Sequence, residues 1–254
     1  MQKKGQVRVG RTIYSKDGKR TDPSFPGFTP IVVLTKSSAY GALGPYVLKD
    51  PKGRIIENLW HSTKVFAEVP KVECKASRYE DRIIWSHPAE THATWDEKNQ
   101  TYNLNQKYLN WRKKLESCPD AVRYPVGYQD RHKCLFAMAE KPDGTIDATP
   151  LTYIEGRKKI YVPIYLEAVK RSPVFDSLKA RLEKGENLLI IEVDLCHEED
   201  LAYYVQKYNV PNSFITNGTM LATKENLSIM LNDTKFSYGH GYVLAGALLD
   251  IHVE

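Results

Sequence analysis

Glu57, Trp60, His61 and Lys64 fall at i, i+3, i+4 and i+7 in the segment Glu57-Asn-Leu-Trp-His-Ser-Thr-Lys64. On a helix that spacing puts a carboxylate, an indole, an imidazole and an amine on one face. A carboxylate can shuttle a proton or stabilise developing positive charge. An amine buried beside an indole loses its preference for the charged form and becomes a nucleophile. The spacing predicts a helix over 55–66. Ile56, Leu59, Thr63 and Phe66 form a second stripe turned to the core. At a rise of ~1.5 Å per residue, Glu57 and Lys64 would stand ~10 Å apart and flank a substrate.

Three further groups carry chemistry. Glu192 and Asp194 close the run Leu188-Leu-Ile-Ile-Glu-Val-Asp194, and a carboxylate at the C-terminal end of a strand is a common place for a site. Gly239-His240-Gly241 precedes an apolar stretch, where backbone N–H groups can cradle a phosphate and His240 can reach it or a ribose. His87-Pro-Ala-Glu90-Thr-His92 lacks the His-Glu-x-x-His spacing, and Pro88 interrupts a helix, so no metal site is assigned. Lys107, Arg112, Lys113 and Lys114 beside Tyr108 and Trp111, and the loop Arg123 to Arg131, mix cations with aromatics as nucleic-acid contacts do. A half-buried helix with extended lysines has the same composition.

The elements that must position these groups follow from pattern. Residues 1–30 are polar and suggest a short hairpin or irregular arm turning at Asp17-Gly18. Strands are expected at Ile31–Thr35, Tyr46–Leu48, Arg82–Trp85 and Leu135–Ala139, and through 188–194. Helices are expected at 104–116, 151–184 and 198–208 and after Gly241. Pro163 and Pro173 must kink or divide the longest of them, and Gly185 should stop it. Residues 70–150 are rich in charge, Trp, Tyr and His and suggest an inserted subdomain.

The 254 residues suffice for one large domain with an insertion, and a net charge of +5 permits a polyanionic partner without requiring one. No apolar run reaches the ~20 residues of a membrane span, and the N-terminus lacks the apolar core of a secretory signal. Four widely spaced cysteines, with no Cys-x-x-Cys, suggest free thiols in a reducing compartment. The expected location is the cytoplasm, or the cytoplasm or nucleus of a host cell if the chain is viral. The Asn-x-Ser/Thr sites at Asn99, Asn217, Asn226 and Asn232 then carry no meaning.

Taken in order, the motifs resemble the NADAR family. That family's Ser-Glu-His-Tyr-Phe-Gln-Ala-Gln-Lys-Phe helix is similar to Ile56-Glu57 through Lys64-Val-Phe66. Its Gly-x-x-Ser-Asn-Phe is similar to Gly41-Ala-Leu-Gly-Pro-Tyr46, and its Leu-x-x-Glu strand to Leu189-Ile-Ile-Glu192. Its closing glycine-rich helix is similar to Gly239-His-Gly-Tyr-Val-Leu244. Tyr153 stands where the family commonly has Trp, and the family's Asn-x-x-Trp-Gly loop has no clear match after Asp194. The resemblance covers 31–66, 151–194 and 236–251.

It implies an α/β (α+β) fold, compact and NADAR-like over 1–254, with 70–150 inserted. It also implies cofactor-free, metal-independent cleavage of a ribosyl–nitrogen bond, including removal of ADP-ribose from modified guanine in nucleic acid. Lys64 would be the Schiff-base amine, Glu57 the acid/base or ribose-orienting carboxylate, and Asp194 a second carboxylate. Gly41, Tyr46, Trp60, His61, Tyr153, Glu192, Gly239, His240 and Gly241 would contact substrate. The residues leave two other readings open: a non-catalytic nucleic-acid or nucleotide binder on the same fold, and an ADP-ribosyltransferase. Reversal of nucleic-acid ADP-ribosylation in toxin or virus conflict follows by analogy alone.

Overall fold

The computed structural model describes residues 4–73, 85–123, 125–126 and 129–253. It is a mixed α/β structure of helices and small sheets. The chain divides into two compact units, Met1–Gly44 with Tyr165–Glu254, and Pro45–Ile164. The second unit is wider than the expected 70–150 insertion and includes Glu57 to Lys64. Among the described residues no helix is long and apolar enough to cross a membrane.

The first unit holds a four-stranded sheet in the order Thr219–Leu221, Val7–Arg11, Leu188–Glu192, Thr29–Val32. Leu188–Glu192 runs parallel to both neighbours, and Thr219–Leu221 is antiparallel to Val7–Arg11. Every residue of Leu188–Glu192 is buried, which explains its unbroken apolar run. The strand stops at Glu192, two residues before the expected end.

Val7–Arg11 corrects the expectation of an irregular arm. Its Arg8 reads as a solvent residue but is buried, because Nε and a terminal nitrogen donate to Thr219 Oγ1 (2.7 Å) and O (2.9 Å) and the guanidinium lies 3.8 Å from the Phe25 ring centre. The expected hairpin follows it, pairing Ile13–Tyr14 with Arg20–Thr21 around Gly18 at φ +84°. Pro173 divides the expected 151–184 helix as its sequence requires, by starting the separate helix Pro173–Glu183, which Gly185 (φ +88°) ends. The helix His240–Leu249 is buried along almost its whole length.

In the second unit the short helix Ile56–Ser62 is followed at once by the strand Lys64–Phe66, so the expected helix 55–66 is too long by a turn. The helix ends because two hydroxyls take its last carbonyls: Ser62 Oγ donates to Leu59 O (2.9 Å) and Thr63 Oγ1 to Trp60 O (2.8 Å). Lys64–Phe66 pairs antiparallel with Cys134–Ala137. Around it pack Tyr108, Trp111 and Leu115 of the helix Gln106–Glu116, with Val122 and Met138. The aromatic-rich residues are thus the core against which the Lys64 strand lies.

Two other expectations shift. Tyr46–Leu48 is a turn, with only Lys49 bridging to Ile55. The strand expected at 82–85 falls, but for Trp85, outside the described residues. Pro163 lies in Val162–Val169 just past a π-helical stretch, Arg157–Tyr161, where Val162 N–H reaches back to Arg157 O. The wide turn accommodates a proline that has no N–H to give.

Candidate active site

The second unit brings Glu57, Trp60, His61 and Lys64 together, though not on one helix. Glu57 and His61 are one turn apart on Ile56–Ser62, and His61 Nε2 donates to Glu57 Oε1 at 2.8 Å. The chain then turns into its strand, which swings Lys64 back so that Nζ donates to His61 Nδ1 at 3.3 Å. The imidazole tautomer that satisfies both bonds carries its proton on Nε2. Glu57 and Lys64 therefore do not flank an empty gap; His61 links them.

Lys64 Nζ also lies 4.6 Å from the Trp60 ring centre, and Trp60 packs on Tyr161 with ring centres 5.3 Å apart. Gly156 lies beside it: a Cβ there would meet Ala137 Cβ at 3.3 Å and Trp60 Cη2 at 3.4 Å. Tyr153 is half-exposed and lies beneath the buried Arg157, with 4.2 Å from ring centre to guanidinium and 2.9 Å between its hydroxyl and a terminal nitrogen. Tyr46 is half-buried in its turn.

Electrostatics shift the amine toward its neutral form. Burial pushes Lys64 below the ordinary lysine value; Arg131 and Arg157 push the same way, while Cys134 and Glu57 oppose. Burial likewise lowers His61, with Lys64 adding to the effect and Glu57 opposing it. Cys134, in turn, is raised by burial and lowered by Lys64. Cys134, Arg157 and Tyr161 were not assigned to this site from sequence, and Arg131 was read only as part of a loop suited to nucleic acid. No local pattern marks them, because strand pairing and the π-helical turn bring them in.

His61 and the buried His92, also lowered chiefly by burial, give a testable acid limit. An unfolded imidazole takes its proton near pH 6.5, and each folded one does so only at lower pH. Their stabilising share is complete above pH 6.5 and is lost as pH falls through the window below it, at up to about 1.4 kcal/mol per pH unit for each group. Thermal melts from pH 7.5 to 5 should show the decline. His92→Phe, which keeps the ring against Tyr108 and Trp111, should flatten it.

In the first unit Glu192, not Asp194, is the buried carboxylate; Asp194 is exposed. Asp194 N–H donates to Glu192 Oε2 (3.0 Å), and Gly241 N–H approaches Oε1 at 3.4 Å. His240 Nε2 donates to Val33 O (3.1 Å), leaving Nδ1 3.9 Å from Glu192 Oε2. The glycines have a steric cause. A Cβ on Gly239 would sit 1.8 Å from Glu192 Oε1, and one on Gly241 would sit 3.0 Å from Glu192 Cγ. A protein carboxylate thus fills the turn expected to cradle phosphate. Tyr165 packs on His240 and donates to Leu43 O (2.8 Å), and burial pushes its hydroxyl well above the ordinary range. Gly41 is buried where a Cβ would meet Thr35 O at 2.6 Å.

His87 and His92 serve the backbone and Glu90. His87 Nε2 bonds Pro125 O, and His92 Nε2 lies 3.2 Å from Glu90 Oε2. Among the described residues no group of three or more His, Cys, Asp or Glu side chains is arranged to hold a metal ion. No protein-family model, curated protein or solved structure matches this chain.

Proposed function

We propose that the protein is a lysine-dependent N-glycosidase acting on a ribosyl–nitrogen bond, with ADP-ribosylated guanine in nucleic acid as the favoured substrate. The observation that carries the proposal is the Lys64–His61–Glu57 relay, at 3.3 and 2.8 Å, around an amine that burial biases toward its neutral form. The substrate class rests on the NADAR-like order of motifs.

In this reading His61 Nδ1 accepts a proton from Lys64, and Glu57 stabilises the imidazolium through Nε2. The freed amine attacks the anomeric carbon, the carbon–nitrogen bond breaks, and the departing base nitrogen takes the proton from His61. Opening of the sugar ring leaves an iminium on Lys64, which water hydrolyses to free sugar and amine. Trp60 and Tyr161 supply an apolar wall that keeps the amine dry.

The test is release of ADP-ribose from an oligonucleotide carrying ADP-ribosylated guanine, with free ribosyl metabolites as a second substrate set. Turnover that rises with pH as Lys64 deprotonates supports the proposal. Tight, salt-sensitive binding without release of any sugar would replace it with the binding-protein reading. Consumption of NAD would indicate a transferase.

A further inference from the structure

The junction Ser62–Thr63 sets where Lys64 points, because it joins the helix bearing His61 to the strand bearing Lys64. That junction is gripped from one side by the helix Gln106–Glu116. Tyr108 Oη reaches Ser62 O (3.3 Å) and Thr63 O (3.4 Å), and Ser62 Oγ, whose single hydrogen is shared between Leu59 O and Glu116, lies 3.0 Å from Glu116 Oε1. Arg112 Nε donates to the same Glu116 oxygen (2.9 Å), and one of its terminal nitrogens donates to Met138 O (2.8 Å). Met138 N–H, in turn, donates to Thr63 O (2.9 Å). Tyr108, Arg112 and Glu116 are spaced i, i+4, i+8 and so form one stripe.

Core packing calls for the Tyr108 ring but not for its hydroxyl or for the charges of Arg112 and Glu116. Tyr108 is 0% and Arg112 4% exposed, and a buried guanidinium costs more to desolvate than an apolar side chain of similar volume. What the charged stripe gives in return is a fixed geometry at two carbonyls and one hydroxyl, directly before the amine. A looser junction would let Lys64 swing toward water, restoring its preference for the charged form and lengthening its bond to His61.

We infer that Tyr108, Arg112 and Glu116 are positioning residues that hold the Lys64 amine against His61. The inference rests on the proposed function for its catalytic meaning but not for its test. Lys64 is labelled with formaldehyde and cyanoborohydride across pH 6–11, and methylation at that residue is read by peptide mass spectrometry in wild type, Tyr108→Phe and Glu116→Gln. Circular dichroism and thermal melts establish that each variant is folded.

The expected result is that the midpoint for Lys64 moves up by about one pH unit or more in the folded variants, while exposed lysines keep their profiles. With substrate, kcat should fall by about tenfold to a hundredfold at nearly constant KM. Lys64 profiles that coincide in wild type and both folded variants would overturn the inference. Two variants are used so that misfolding of either leaves the other to decide. If wild type releases no sugar, the proposed function fails, and the labelling profiles still decide whether the clamp tunes Lys64.

Discussion

Lys64→Ala is expected to lower sugar release by at least ~10³-fold while leaving the second unit folded, because it removes the attacking atom and not a packing anchor. The side chain is costly to bury: desolvation pushes its amine toward neutrality, and its polar partner is an imidazole rather than a carboxylate. The neighbouring core is built by Val65 and Phe66, which the substitution does not touch. Melting should therefore change little against the loss of turnover. Glu57→Gln should cost less, about tenfold to a hundredfold, since the amide can still accept from His61 Nε2 but stabilises the imidazolium poorly. Initial rates at saturating substrate, with melts of the same preparations, check both. A Lys64→Ala enzyme that turns over at the wild-type rate would remove the amine from the chemistry.

The largest stability loss is expected for Gly239→Ala, at about 3 kcal/mol. The added Cβ would overlap Glu192 Oε1 at 1.8 Å and press on Asp194 Cβ at 2.9 Å. Neither can yield cheaply. Glu192 is 1% exposed, and its carboxylate accepts Asp194 N–H, so displacing it leaves a charge buried with poorer partners. Urea unfolding measures the loss. Adding Glu192→Ala should return part of it, because the two substitutions share one contact and their costs cannot add. A Gly239→Ala midpoint equal to that of wild type would mean that the turn relaxes freely.

The site was legible in residue type before it was legible in geometry. Glu57 and His61 lie on the predicted helix and bond as i, i+4 neighbours should. Lys64 reaches them by a route that helical periodicity does not describe. Ser62 and Thr63 tie back to Leu59 and Trp60, end the helix, and return the lysine on a strand. Those two hydroxyl residues were the available signal, since side-chain bonds to helix carbonyls compete with continuation.

Val7–Arg11 was hidden because Arg8 and Arg11 interrupt any apolar run, and the burial of Arg8 depends on the distant partners Thr219 and Phe25. Glu192 was visible as a carboxylate near a strand end. Which of Glu192 and Asp194 turns inward depended on where the strand stopped, and that is set by pairing with Val7–Arg11 and Thr29–Val32. Tyr108 and Arg112 read as part of a half-buried basic helix or a nucleic-acid face, and Glu116 as no more than its end. Their role at the Ser62–Thr63 junction is a tertiary property spanning about fifty residues, for which composition carries no mark.

The central claim is that the Lys64 amine bonds covalently to the sugar. Sodium borohydride added during turnover reduces an iminium to a stable secondary amine, and peptide mass spectrometry locates it. The account predicts an ADP-ribosyl-derived adduct on Lys64 in wild type, and none there in Lys64→Ala. Sugar release by wild type with no adduct on Lys64, or with the adduct on another lysine, would contradict it.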